Sequence, residues 1–88
     1  MQAKVILYSK ANCPYCVWAK QLLDNKKVNY QEIRIDLDED QLKVMEQSSG
    51  RRTVPQIFIN DQPIGGFDDL SALEKAGRLD NLLFNKEK

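Results

Sequence analysis

The sequence predicts an α/β protein in which a mixed sheet of four strands carries helices on both faces. A short run of strand-forming residues at 4–9 precedes a helical segment from 13 to about 27, and residues 30–35 then alternate apolar and polar. This strand–helix–strand order implies a parallel pair joined by a right-handed crossover. Residues 54–59 and 63–65 form two further strands, which must pair antiparallel because only a short turn joins them.

Further helical segments follow the second and fourth predicted strands. An acidic turn at residues 36–40 leads into a helix over about 39–48, which Gly50 closes. A third helix covers about 68–76, and the leucines within 79–83 line one face of a last helical turn or two. These segments supply the helices that cover the two faces of the sheet.

Composition and charge narrow the possible functions. The chain has 88 residues, which fits a single domain over residues 1–88. With 13 basic and 13 acidic residues the net charge is zero, which argues against a nucleic-acid binder that neutralises phosphates. Apolar runs are far shorter than the roughly 20 residues of a membrane span, so no membrane association is expected. No hydrophobic leader follows Met1, and we therefore expect a cytoplasmic location.

The two cysteines carry the candidate chemistry. The chain has no histidine, which excludes His-based acid–base catalysis and Cys–His nucleophile pairs. Cys13 and Cys16 form a C-x-x-C motif directly after a predicted strand, as is typical of thioredoxin-like redox motifs. Pro14 suits the first helical position and so places Cys13 at the N-cap. Unpaired backbone N–H groups and the helix dipole should stabilise a Cys13 thiolate there.

The position of Cys16 suggests a different role for the second sulfur. Residues three apart share a helix face at roughly 5–6 Å, which is within reach of a disulfide. Ala19 and Leu23 continue that face towards the core, so we expect Cys16 to be more buried and less ionised than Cys13. The hypothesis is that Cys13 attacks and Cys16 resolves. Lys10, just upstream, adds a positive charge nearby.

Two structural interpretations of the cysteine pair compete with the redox one. A static disulfide between Cys13 and Cys16 would close a very short loop and stabilise the fold little. Zinc requires four ligands, and two cysteines without histidine do not complete a mononuclear site within one chain. We therefore expect no metal site within the chain, while a site shared between two chains stays open.

Three motifs together make the sequence similar to the dithiol glutaredoxins. They are Cys13-Pro14-Tyr15-Cys16, Thr53-Val54-Pro55 and Gly65-Gly66-Phe67-Asp68-Asp69, in family-like order and spacing over nearly the whole chain. The resemblance implies a thioredoxin-like fold and reduction of disulfides with glutathione as co-substrate. It implies no tightly bound cofactor.

The resemblance also implies one wall of a glutathione site. The peptide bond before Pro55 would be cis, with the proline facing Cys13. The backbone of Val54 would pair with the peptide-like backbone of glutathione, and Thr53 would belong to the same binding set. An ordinary proline at the start of a strand is the alternative for Pro55.

The second wall would lie at the start of the third helix. By resemblance, the γ-glutamyl carboxylate would dock at the N–H groups of Phe67 and Asp68, next to Gly66. The Asp68 side chain would bind the γ-glutamyl ammonium. The alternative is that the glycines form only a turn and that Asp68 is only an N-cap.

Other side chains complete this expectation. Lys10 is the family-supported cation for the glycyl carboxylate, with Arg52 a weaker addition, and Tyr15 should flank the groove. Many relatives carry a cysteine or a small residue where this chain has Phe67, whose ring would affect access beside the groove. Trp18 is expected to be a packing or surface aromatic without chemistry.

The resemblance implies that the protein acts on glutathionylated or disulfide-bonded proteins, and that it is a monomer. Ribonucleotide reductase is a substrate in the family, although nothing in this chain singles it out. One alternative is a dimeric carrier of a [2Fe–2S] cluster held by Cys13 of two chains and two glutathiones. Another is a glutaredoxin-shaped protein that a thioredoxin reductase recycles.

Overall fold

A computed structural model describes residues 2–84 of the chain. The elements, in chain order, are β1 Val5–Ser9, α1 Pro14–Asn25, β2 Gln31–Arg34, α2 Glu39–Ser49, β3 Gln56–Ile59, β4 Gln62–Gly65, α3 Phe67–Lys75 and α4 Leu79–Phe84. The predicted third strand included Val54 and Pro55, but β3 begins only at Gln56. Pro55 has no backbone N–H for a ladder bond, which accounts for the later start.

The four strands form one mixed sheet in the order β2-β1-β3-β4. Strands β1 and β2 are parallel, with Ile6 opposite Gln31, which confirms the predicted crossover. Strand β3 runs antiparallel to both β1 and β4, as expected from the short turn between β3 and β4. The fold is therefore the predicted α/β fold of the thioredoxin-like type.

Alternation along the strands divides the core between the two sheet faces. Val5, Leu7, Ile57 and Ile59 point to one face, where they pack against buried side chains of α1, α3 and α4. Those helical side chains are Ala19, Leu23, Leu70, Leu79 and Leu83.

The opposite face holds a smaller cluster beneath α2. Tyr8 and Phe58 meet edge to face with ring centroids 5.6 Å apart, and Met45 of α2 packs against them. Helix α2 follows the N-cap residue Asp38. It ends at Gly50, which has the left-handed conformation and closes the helix as the sequence predicted. Helices thus cover both faces of the sheet.

The β1–α1 connection places the cysteine motif at one end of the sheet. The chain leaves β1 at Ser9, turns through Asn12 at φ 58°, and enters α1 at Pro14. Because β1 is a central strand, the start of α1 lies beside the segments that lead into β3 and α3. No helix among residues 2–84 is long and apolar enough to span a membrane.

Candidate active site

Cys13 occupies the N-cap of α1, as the sequence predicted. Its backbone is extended (φ −119°, ψ 101°), and helical geometry begins at Pro14. The Cys13 Sγ accepts a hydrogen bond from the backbone N–H of Cys16 at 3.2 Å. A sulfur in this position receives a helix N–H that has no partner inside the helix.

Cys16 is buried, with 1% of its surface exposed, whereas Cys13 is partly exposed. Burial, together with its side-chain hydrogen bond to Cys13, raises the pKa of Cys16 to about 12. A backbone hydrogen bond from Lys10 and the positive charge of Lys20 act in the opposite direction. Both cysteines are free thiols. The expected asymmetry in burial between the two sulfurs is confirmed.

The segment before β3 passes directly over the Cys13 sulfur. The Val54–Pro55 peptide bond is cis, as the resemblance implied. The Cys13 thiol donates a long hydrogen bond to the carbonyl oxygen of Val54, with sulfur and oxygen 3.9 Å apart. The Cys13 sulfur therefore lies between the start of α1 and the carbonyl group of Val54.

A cleft of about 210 Å³ opens beside this segment. It brings together seven of the ten predicted site residues, from α1, the 51–55 segment and the start of α3. The lining residues are Tyr15, Arg51, Thr53, Val54, Pro55, Gln56, Gly66, Phe67, Asp68 and Asp69.

The start of α3 differs from the sequence expectation in one respect. Helix α3 begins at Phe67 with Gly66 as its N-cap residue, so Asp68 lies inside the first turn and the N-cap interpretation of Asp68 is wrong. The carboxylate that closes the helix start is that of Asp69, whose Oδ2 accepts the Gly66 N–H at 3.1 Å. Asp68 is exposed on the cleft, and its carboxylate has no hydrogen-bond partner among residues 2–84.

Three aromatic rings border the cleft on its α1 side. Tyr15 packs edge to face on Trp18 with centroids 5.1 Å apart, and Phe67 lies 6.3 Å from Tyr15 and 5.8 Å from Trp18. Tyr15 and Trp18 remain about half exposed, at 53% and 48%. Trp18 is thus a surface aromatic, as expected, and the Phe67 ring contributes to the wall beside the cleft.

The remaining three predicted site residues line a second cavity, on the other side of the α1 start. This cavity of about 460 Å³ is shared by Lys10, Cys13 and Cys16 with Lys20, Glu32 and Arg34. Lys10 therefore lies beside the reactive sulfur but does not line the first cleft.

Three residues that line the first cleft, among them Arg51, were not predicted from the sequence. Arg52 makes an ion pair with Glu46 at 3.0 Å and lines neither cavity, whereas Arg51 lines the cleft and bonds to Asp69 at 3.2 Å. Gln56 and Asp69 were also missed. For Asp69 a signal existed, because an acidic residue three positions after a helix N-cap is a capping pattern.

The described part of the chain offers no alternative metal centre. No group of three or more His, Cys, Asp or Glu side chains within residues 2–84 could hold a metal ion.

A reactive C-x-x-C at the start of the first helix of this fold defines a thiol–disulfide oxidoreductase. The family model "Glutaredoxin" matches residues 5–64. Among curated proteins, glutaredoxin 3 of Escherichia coli is 53% identical over 81 residues, covering 92% of this chain and 98% of that protein. Glutaredoxin 1 of Rickettsia prowazekii is 50% identical over 86 residues, covering 96% and 90%. This chain belongs to the glutaredoxin family.

Solved structures agree with this assignment. A buckwheat glutaredoxin–glutathione complex superposes with a TM-score of 0.86 at 32% identity, over 94% of this chain and 78% of that one. The glutaredoxin of Brucella melitensis gives a TM-score of 0.81 at 42% identity, over 99% and 96%. The comparisons do not favour the cluster-carrier alternative.

Proposed function

We propose that this protein uses glutathione to reduce protein disulfides and protein–glutathione mixed disulfides. The observation that carries the proposal is the position of Cys13 Sγ, which lies between the Cys16 N–H and the Val54 carbonyl at the edge of the first cleft. Glutathione attached to Cys13 would extend along the Val54 backbone. The buckwheat relative has been solved as a complex with glutathione, which supports this substrate class.

The far end of the cleft suits the γ-glutamyl group. The first-turn N–H groups of α3, at Phe67 and Asp68, have no partners within the helix and attract a carboxylate. The exposed Asp68 carboxylate, free of hydrogen-bond partners within residues 2–84, supplies an anion for the adjacent ammonium. A Cβ added at Gly66 would lie 3.4 Å from the carbonyl oxygen of Pro55, its one neighbour within 4 Å. A larger residue at this position would therefore narrow the cleft.

The other end of glutathione carries the glycyl carboxylate. Lys10 is our proposed cation for it, because Lys10 and Cys13 line one cavity. Tyr15, Thr53 and Pro55 line the cleft between the two ends and complete the proposed binding set.

The one-cysteine route needs only Cys13. Its thiolate attacks the glutathione sulfur of a glutathionylated protein, and the protein thiolate leaves and is protonated. Free glutathione then attacks the Cys13–glutathione disulfide, releasing glutathione disulfide and the Cys13 thiolate. The rate depends on the thiolate fraction and on the leaving thiol.

The two-cysteine route reduces a protein disulfide. Cys13 forms a mixed disulfide with the substrate, and Cys16 attacks the Cys13 sulfur and expels the second substrate thiolate. The resulting Cys13–Cys16 disulfide is reopened by two glutathiones, which become glutathione disulfide. Because Cys13 and Cys16 are separated by less than one helical turn, their sulfurs can form the disulfide with little backbone movement.

Two serine variants test the proposal in a glutathione-coupled assay. Cys13→Ser should abolish turnover of both a small glutathione mixed disulfide and a protein disulfide. Cys16→Ser should keep the first activity and lose the second. Turnover of either substrate by Cys13→Ser, or supply of electrons by thioredoxin reductase but not by glutathione, would overturn the proposal.

A further inference from the structure

Cys16 raises a problem that the proposed two-cysteine route does not answer. To resolve a mixed disulfide, its sulfur must become anionic, yet it is buried with 1% of its surface exposed. The chain contains no histidine that could assist. A backbone hydrogen bond from Lys10 favours the anion, and the side-chain charges around the second cavity, which Cys16 lines, act on it as well.

Lys20 is the charge best placed to act on Cys16. It follows Cys16 by four residues on α1, so the two side chains lie on one face of the helix, about one turn apart. Both line the second cavity. An ammonium at this separation favours the anionic form of a thiol in a partly dry setting.

Two side chains outside α1 hold the Lys20 ammonium at the cavity. Glu32 Oε2 lies 3.0 Å from Lys20 Nζ and accepts a hydrogen bond from Ser9 Oγ at 2.6 Å. Ser9 is fully buried at the end of β1, so this anchor belongs to the sheet. The same contacts, led by the Ser9 hydroxyl, lower the pKa of Glu32 and keep it ionised at neutral pH.

The other charged residues around the cavity lie outside the helix that carries Cys16. Arg34 bonds to Asp36 through two contacts of 2.7 Å each, much as Lys20 bonds to Glu32, but Arg34 lies on β2 and not on the helix that carries Cys16. Asp36 also accepts the Ala11 N–H at 3.2 Å. Lys10 lines the cavity from the loop before Cys13. Lys20 is therefore the cation on the helical face of Cys16 itself.

We propose that Lys20, anchored by Glu32 and Ser9, is a positioning residue for the second sulfur and stabilises the Cys16 anion as it attacks the Cys13 mixed disulfide. This inference rests on the proposed function. In the step, the Cys16 sulfur bonds to the Cys13 sulfur while the Cys13–substrate bond breaks. The electron pair leaves on the substrate sulfur, which takes up a proton in place of the one that Cys16 released to water.

A neutral aromatic disulfide, dithiodipyridine, separates the two sulfurs in one experiment. The reduced protein should release a first chromophore when Cys13 attacks and a second when Cys16 closes the disulfide. Cys16→Ser should show the first release only, which assigns the phases. Because the probe is neutral, the charge of Lys20 has no direct effect on its approach.

Lys20→Gln and Lys20→Met should slow the second release roughly fivefold and leave the first unchanged. The pH profile of the second release should shift to higher pH by about 0.7 unit, which is equivalent to a fivefold change in rate. Lys20→Arg should restore most of the rate because it keeps the charge. Lys43→Gln, the same charge change on the exposed side of α2, should match the wild type.

An unchanged rate of the second release in both neutral Lys20 variants would overturn the inference. So would a Lys20→Arg variant that is slowed as much as the neutral variants. These phases do not involve glutathione. Failure of the proposed function would appear separately, as a wild-type protein that shows both releases but no turnover with glutathione.

Discussion

Gly65 is the position where a single methyl group should cost the most at the proposed site. Its φ is +119°, a backbone angle that residues other than glycine rarely adopt. A Cβ added there would overlap the Asp69 carboxylate and come within 2.7 Å of Asp69 Cγ. Asp69 would have to rotate away, and its hydrogen bond to the Gly66 N–H would be lost.

The size of the effect follows from these two parts. An Ala at a φ of +119°, outside the left-handed α region, costs about 1–3 kcal/mol, and losing the capping carboxylate of Asp69 costs about 1 kcal/mol more. The Arg51–Asp69 ion pair is exposed and adds little. We therefore expect Gly65→Ala to lower the free energy of unfolding by about 2–4 kcal/mol.

Gly77→Ala is the matched control, measured by denaturant unfolding. Gly77 also has a positive φ, +72°, but an added Cβ there meets nothing within 4 Å. It should cost about 1–2 kcal/mol, from backbone conformation alone. In an Asp69→Ala background the extra cost of Gly65→Ala should disappear. Equal losses for the two glycine variants, or full additivity with Asp69→Ala, would refute the steric reasoning.

Three further predictions concern individual side chains. Iodoacetamide at neutral pH should modify Cys13 at least tenfold faster than Cys16, because burial raises the pKa of Cys16 to about 12; peptide mapping by mass spectrometry would detect the reverse order. The Arg34 guanidinium holds the pKa of Asp36 well below its usual range, so this carboxyl contributes stability above its unfolded pKa of about 3.9 and loses it as the pH falls. Asp36→Asn should therefore be less stable than the wild type at pH 7, with a gap in denaturant midpoint that narrows below about pH 4; a constant gap would contradict this. Asp68→Asn should raise the KM for a glutathione mixed disulfide severalfold with little change in kcat or in stability, because Asp68 caps no helix. A lowered denaturant midpoint in that variant would assign Asp68 a structural role instead.

The parts of the fold that depend on local pattern could be predicted from the sequence. Consecutive residues determine the alternation that divides β1 between the two faces of the sheet. The same is true of the C-x-x-C motif at the start of α1. Cys13 at the N-cap and a buried Cys16 followed from Pro14 and from the apolar face of α1.

The parts of the fold and site that depend on contacts between distant segments could not be predicted from the sequence. Neighbouring Arg51 and Arg52 look alike in sequence, and only the positions of Asp69 and Glu46 decide which one faces the cleft. The pairing of Lys20 with Glu32 joins α1 to β2 through the parallel register, which periodicity alone does not fix.

Trapping glutathione on the protein tests the central claim most directly. The Cys16→Ser variant, incubated with glutathione disulfide, should gain the mass of one glutathione, located on Cys13 by peptide mapping, and lose it when free glutathione is added. A protein that takes up no glutathione under these conditions, or an adduct that reduced glutathione cannot remove, would contradict the account.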